Sequence, residues 1–262
     1  MNLATLVVST ILAIAGAVAP PPPSTPLAPP ASSPRRSEAT EAVRPATRGF
    51  PSARPIFAHS SGQLFAIDLS MQTPRAVAIG PFGAQITDLA LTDDGQLYGV
   101  GFDTLYLVDP RTGRATAVGS LGPSDVNGLA SLGNRLVAGS TSGGYYYVDR
   151  ATGRATRAGS FGRGVVSSGD LCLGPDGVLY LTSPIGSRIG GQDQLLRVDV
   201  VTGATTPVGG TGLTAIYGLI YTRGERNELL GFTETGVIAR IDTRTGAAAQ
   251  VAITGIPFWG GT

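Results

Sequence analysis

The sequence predicts an all-β fold in which one small unit is repeated around a ring. Three observations carry that prediction. The first is a motif that returns along the chain. It is clearest at residues 105–119, LYLVDPRTGRATAVG, and recurs as YYYVDRATGRATRAG at 145–159, LLRVDVVTGATTPVG at 195–209 and VIARIDTRTGAAAQVA at 237–252. A degenerate copy, LFAIDLSMQTPRAVAIG, opens the series at Leu64. The second observation is the period. The anchoring residues Asp68, Asp109, Asp149, Asp199 and Asp242 lie 41, 40, 50 and 43 positions apart. A fixed period of about 40–45 residues, made of short strands, is the signature of propeller blades. The third is composition. The 38 glycines and a charged fraction of only 14% suit a turn-dense β fold. The fold class is therefore all-β, a five-bladed β-propeller.

Each copy reads as a hairpin. Apolar and aromatic residues precede the aspartate, D-x-x-T-G follows it, and a second short strand comes next. The aspartate accepts from backbone N–H groups two residues on, closing an Asx turn. The glycine (Gly113, Gly153, Gly203, Gly246) supplies the positive φ that ends the turn. These residues thus have a structural explanation and are not ligand candidates.

Taken in order, residues 1–19 are apolar and rich in small residues. They offer A-x-A cleavage sites ending at Ala15, Ala17 and Ala19, as a secretory signal peptide requires. The stretch is also about the minimum length for a membrane anchor. The n-region has no Lys or Arg, so both readings stay open. Either one places the protein outside the cytoplasm: secreted, periplasmic or at the cell surface. Residues 20–54 begin PPPPSTPLAPPASSP and form a disordered Pro-rich linker, because proline at this density favours extended polyproline II.

Residues 55–262 carry the propeller, at about 42 residues per blade. Blade two uses 86–91, 97–101, 104–108 and 115–118. Blade three uses 126–130, 135–139, 145–148 and 155–158. Blade four uses 169–173, 178–182, 194–198 and 205–208. Blade five uses 215–221, 228–232, 237–241 and 248–253. Blade one supplies only 55–59, 64–67 and 75–79, with no inner strand. The chain ends IPFWGGT, where a sixth inner strand would begin. Residues 257–260 are therefore expected to fill the gap in blade one and close the ring, hiding the edges that an open ring would leave unpaired.

At this point the pattern LYLVDPRTGRATAVG, with DDGQLYGV and PDGVLYLT before two of its copies, resembles the repeats of secreted bacterial propellers. It is similar to the NHL, YVTN and quinoprotein-dehydrogenase-like group, over residues 55–262. The resemblance implies architecture. Such propellers include binding scaffolds, lyases and hydrolases, so the fold does not choose an activity. The tryptophan-rich motifs that bind pyrroloquinoline quinone are missing, since Trp259 is the only tryptophan. No catalytic residue can be carried over.

All 19 basic residues are arginine and the net charge is +1. There is no electrostatic case for nucleic acid or an acidic membrane surface. Aligning the blades puts Asp88, Gly128, Asp170 and Gly218 at one position of the inner strands. Asp88 and Asp170 are the candidate metal ligands, with Ca²⁺ as the cation, or an acid/base pair. No other cofactor is implied. The stretch 183–193, SPIGSRIGGQD, is longer than its counterparts and makes Ser183, Arg188 and Asp193 the candidate binding loop. His59 is the only histidine and reads as a packing residue. Cys172 is the only cysteine, so no internal disulfide exists, and it reads as a small buried apolar group. The leading expectation is a monomeric, exported, non-catalytic propeller that binds a protein or glycan through one face. The alternatives are a metal-assisted hydrolase or lyase at the channel mouth, and a purely structural surface protein.

Overall fold

The computed structural model describes residues 55–70, 73–187, 191–222 and 227–262. The N-terminal segment and linker, 1–54, lie outside the described residues. Among the described residues, twenty strands form five four-stranded antiparallel sheets. Blade two runs from β4 (Asp88–Leu91) through β5 (Leu97–Val100) and β6 (Thr104–Val108) to β7 (Ala115–Ser120). Blade three is β8 (Val126–Leu132), β9 (Arg135–Ser140), β10 (Gly144–Val148) and β11 (Ala155–Ser160). Blade four is β12 (Leu171–Leu173), β13 (Leu179–Pro184), β14 (Gln192–Val198) and β15 (Thr205–Thr214). Blade five is β16 (Ile216–Tyr221), β17 (Leu229–Thr233), β18 (Val237–Ile241) and β19 (Ala248–Ile253). Blade one joins both ends of the chain. Its order is β20 (Gly260–Gly261), β1 (Phe57–His59), β2 (Gln63–Asp68) and β3 (Arg75–Pro81). The chain is a five-bladed β-propeller.

The closing strand differs in place from its sequence expectation. It is not 257–260 but the two residues of β20, paired Ala58 to Gly261 and His59 to Gly260. Reciprocal bonds between Phe57 and Thr262 extend the pairing, with Phe57 N donating to Thr262 O at 2.9 Å and Thr262 N to Phe57 O at 2.8 Å. Pro257 has no N–H to contribute to a ladder. Phe258 instead packs, fully buried, against Phe232 with ring centroids 5.2 Å apart.

The core lies between blades rather than within them. Each of five apolar clusters joins two neighbours. Phe57 and Leu64 of blade one meet Leu89 and Leu97 of blade two. Val100 and Leu105 meet Leu129 and Leu136 of blade three. Tyr145 meets Leu181 and Leu196 of blade four. Leu195 meets Leu219 and Ile241 of blade five. Ile220 and Phe232 close the circle on Ala58 of blade one. Burial of this kind contributes about 25 cal/mol per Å², and here that gain requires blades to touch.

The repeated turns behave as their residues predict. Asp109 Oδ1 accepts from Arg111 N at 2.9 Å, Asp149 Oδ1 from Ala151 N at 2.9 Å and Asp242 Oδ1 from Arg244 N at 2.7 Å. Gly113, Gly153, Gly203 and Gly246 have φ of 79°, 80°, 75° and 80°. A second glycine of the repeat has a different cause. A side chain added at Gly80, Gly119, Gly159 or Gly209, on the outer strand of one blade, would strike the threonine carbonyl (Thr112, Thr152, Thr202, Thr245) in the next blade's turn. Each turn therefore seats on a glycine of its neighbour. Blade one has no T-G turn, and blade five carries Ala252 at the matching position.

Gly209→Ala is expected to lower the unfolding free energy by about 3 kcal/mol, the upper range for overpacking. Gly62→Ala, where an added Cβ meets nothing within 4 Å, should stay within about 0.5 kcal/mol. Urea midpoints of the two variants check this; equal values would remove the seating contact from the account.

Candidate functional site

A cavity of about 360 Å³ opens at a mouth of the central channel. It lies on the face where the inner strands begin. Every blade contributes. Thr87, Asn127, Gly169, Tyr217 and Trp259 line it, and each stands at or just before the start of its blade's inner strand. They sit one residue before Asp88, Gly128, Asp170, Gly218 and Gly260. The outer rim comes from turns between second and third strands: Phe102 in blade two, Thr141 in blade three and Glu234 in blade five.

Two polar groups of this wall stand out by what they lack. Asn127 is 7% exposed and Ser167 4%. Asn127 Nδ2 donates to Ser167 O at 3.1 Å, which leaves Asn127 Oδ1 without a partner among the described residues; Ser167 Oγ has none either. A buried polar atom left unpaired costs about 1–3 kcal/mol, and both of these atoms belong to residues that line the cavity. The neighbouring Thr87 hydroxyl is already engaged, donating to Val100 O at 3.0 Å.

Three aromatics complete the wall. Phe102 is 39% exposed, and Tyr217 and Trp259 are half-buried. Trp259 is fixed by its own backbone, whose N–H donates to His59 O at 2.8 Å. Burial, and then the charges of nearby Glu234 and Asp193, raise the Tyr217 phenol above its ordinary value.

The sequence-predicted residues divide. Asp193 lines the cavity, but as a residue of β14 that is 1% exposed, not as part of a loop. Its Oδ2 accepts from Ile216 N at 2.7 Å, and its Oδ1 from the Ser168 hydroxyl. Burial moves its carboxyl above the usual range, against the pull of those two donors. Ser183 is fully buried in β13, paired with Gln194. The two strands run further than expected, to Pro184 and from Gln192, so the connection between them is shorter than 183–193. Arg188 lies outside the described residues.

Asp88 and Asp170 are fully buried and do not line the cavity. Asp88 Oδ1 accepts from Leu89 N at 2.8 Å and Oδ2 from Leu129 N at 2.6 Å, on the next blade. Asp170 Oδ2 accepts from Leu219 N, also on the next blade. Each carboxyl is thus a clamp between neighbouring inner strands. Asp170 Oδ1 has no donor of sound geometry in the protein framework. Burial first, then the Asp170 charge and hydrogen bond, push the Asp88 carboxyl well above the usual range; burial does the same for Asp170. Both carboxyls are thus biased towards the protonated form, and one proton held between them would relieve the like-charge contact. Ca²⁺ wants six to eight oxygens, and three of these four carboxylate oxygens already hold backbone amides. No group of three or more His, Cys, Asp and Glu suited to a metal ion occurs among the described residues.

His59 packs beside this level. It is fully buried, with Nδ1 donating to Ser60 O at 2.8 Å, and burial lowers its pKa from 6.5 to about 4. A side chain at Gly260 would strike both Asp88 Oδ1 and His59 Nε2, which is why the closing strand is glycine there.

No family model matches the chain, and no curated protein does. Solved structures do. A symmetrical protein from a study of de novo evolutionary emergence under folding constraints is 18% identical over 79% of this chain and 92% of its own, with a TM-score of 0.47. A chain of the nidogen/laminin complex is 14% identical over 79% and 97%, TM-score 0.49. The PQQ-bound aldose sugar dehydrogenase of Streptomyces coelicolor is 17% identical over 62% and 60%, TM-score 0.42. At these values the likenesses assign no activity, and the propeller stands on the strand order given above.

The site residues that sequence reasoning missed are Asn127, Ser167, Tyr217, Trp259 and Glu234. A signal existed. The alignment that placed Asp88, Gly128, Asp170 and Gly218 at one level also places Thr87, Asn127, Gly169 and Tyr217 one residue nearer the mouth.

The buried pair makes stability depend on pH. A carboxyl whose folded pKa is raised stabilises the fold fully below its unfolded value of about 4, and that contribution is lost as pH rises through the folded value. His59, lowered to about 4, acts oppositely: its contribution is present above about 6.5 and lost as pH falls through 4. Asp88→Asn removes the Asp88 titration and leaves that of His59; the one backbone-amide bond it gives up shifts stability without adding a pH dependence of its own. Relative to this variant, the wild-type protein should lose stability as pH rises from 4 to 8 in urea titrations; parallel profiles would rule out the shared proton.

Proposed function

We propose that the protein is an exported binding propeller whose ligand, a small polyhydroxylated group such as the end of a glycan chain, enters the channel mouth. The observation that carries this reading is the pairing of Asn127 Oδ1 and Ser167 Oγ, buried and unpartnered, with the aromatic wall of Phe102, Tyr217 and Trp259. Sugars ask for that combination: flat apolar ring faces that stack on aromatics, and hydroxyls that donate and accept. A concave cavity of about 360 Å³ is in the size range of small-ligand sites. Protein partners are held over broad faces of about 800 Å² per side, which this recess does not by itself provide. Binding rather than catalysis is supported by the two central carboxyls, which hold the ring together away from the cavity.

Trp259→Ala should reduce affinity for whichever neutral or charged oligosaccharide binds by about 30-fold, the factor that ~2 kcal/mol represents at an aromatic hot spot. Calorimetric titration of the wild-type protein with soluble oligosaccharides, repeated on the variant, measures it. Unchanged affinity would place the ligand elsewhere.

A further inference from the structure

The charge and aromatic arrangement of the same cavity narrows the ligand, on the assumption that the mouth is the binding site. Glu234 and Asp193 line it, and no arginine or histidine does among the described residues. Glu234 is exposed, has no basic partner among the described residues, and sits beside Tyr217. The rest of the molecule gives a contrast. Three tyrosine faces elsewhere are covered by the chain's own arginines: Arg150 lies 5.1 Å from the Tyr98 centroid, Arg135 5.3 Å from Tyr147 and Arg157 5.9 Å from Tyr146. The rings of Phe102, Tyr217 and Trp259 carry no such cation and stack on no other described aromatic. Aromatic faces with a carboxylate at the rim are the arrangement that receives an ammonium group, through the ring quadrupole and the opposite charge. Independently of these charges, Asn127, in the cavity wall and more than nine-tenths buried, has an Oδ1 acceptor that lacks a donor among the described residues. An N–H⁺ group supplies one.

We propose that the mouth of the propeller selects a ligand bearing an ammonium group over neutral and anionic analogues, with Glu234 and the Trp259 and Tyr217 rings setting that selectivity. The ammonium can come from an amino sugar or from a free polyamine. Anionic ligands such as uronates meet the Glu234 carboxylate and, among the described residues, no compensating cation.

The test is calorimetric titration of the full chain, at mildly acidic pH, with four probes: the tetramer of glucosamine, the tetramer of N-acetylglucosamine, a tetramer of galacturonate, and spermidine. The glucosamine tetramer should bind about tenfold or more tighter than its acetylated counterpart, with affinity falling as salt is added. Glu234→Gln, at an exposed position, should fold normally and bring the ratio of the two glucosamine affinities down to about twofold or less. Spermidine binding that Glu234→Gln weakens, with no sugar bound, would keep the ammonium selectivity and overturn the glycan reading. Equal binding of the two glucosamine forms, preference for galacturonate, or indifference to Glu234→Gln would overturn the selectivity and leave the glycan reading standing. Binding of none of the four would overturn both.

Discussion

The structure depends on how closely one blade approaches the next. That distance is set where the D-x-x-T-G turn of each blade presses a threonine carbonyl onto an outer-strand glycine of its neighbour. No Cβ fits there. Four of the five junctions have the contact, at Gly80, Gly119, Gly159 and Gly209. The fifth, from blade five to blade one, lacks the T-G turn and carries Ala252. The chain thus contains its own control: where the turn is lost, so is the need for glycine. With the spacing fixed, the apolar faces of adjacent blades meet as five shared clusters. A blade removed from the ring would expose both of its faces, so the stability of each blade is largely that of its two interfaces.

The same spacing builds the centre. The inner strands converge until side chains at one level have almost no room. Two of the five positions there carry Asp88 and Asp170, and the others are Gly128, Gly218 and Gly260. The carboxyls reach across to amides of the following blade, and Gly260 leaves room for that of Asp88. One residue nearer the mouth the ring widens, and Thr87, Asn127, Gly169, Tyr217 and Trp259 line open space. The cavity is therefore a consequence of closing a five-bladed ring with short inner strands. Its chemistry is set by what stands at one position per blade.

Repetition explains what was legible in the sequence. Asp109, Asp149, Asp199 and Asp242 recur with the same neighbours, so the turns, the strands and the number of blades could be read from spacing. The vacancy in blade one was legible because its copy lacked an inner strand. The register of β20 was not, because two glycines carry no periodicity, and pairing with β1 and close contact with Asp88 place them. The outer-strand glycines were visible in the motif, but their cause lies in a neighbouring blade. The site was the least legible part. A binding wall uses different residues in each blade, here Thr, Asn, Gly, Tyr and Trp, so the repeat signal vanishes where function begins. Attention fell on Asp88 and Asp170 because carboxylates suggest chemistry, yet their oxygens hold the ring. Asp193 was singled out as part of a loop; it reaches the cavity because β13 and β14 extend beyond the length of the other hairpins.

The central claim, that ligand enters the mouth beside Trp259, has a built-in reporter, since Trp259 is the only tryptophan in the chain and lines the cavity. The most direct measurement is its emission spectrum during titration with an oligosaccharide shown by calorimetry to bind. The account predicts a saturable change in intensity or wavelength with the same midpoint as the heat. Binding by calorimetry with an unaltered tryptophan spectrum would contradict it and move the site to another face of the ring.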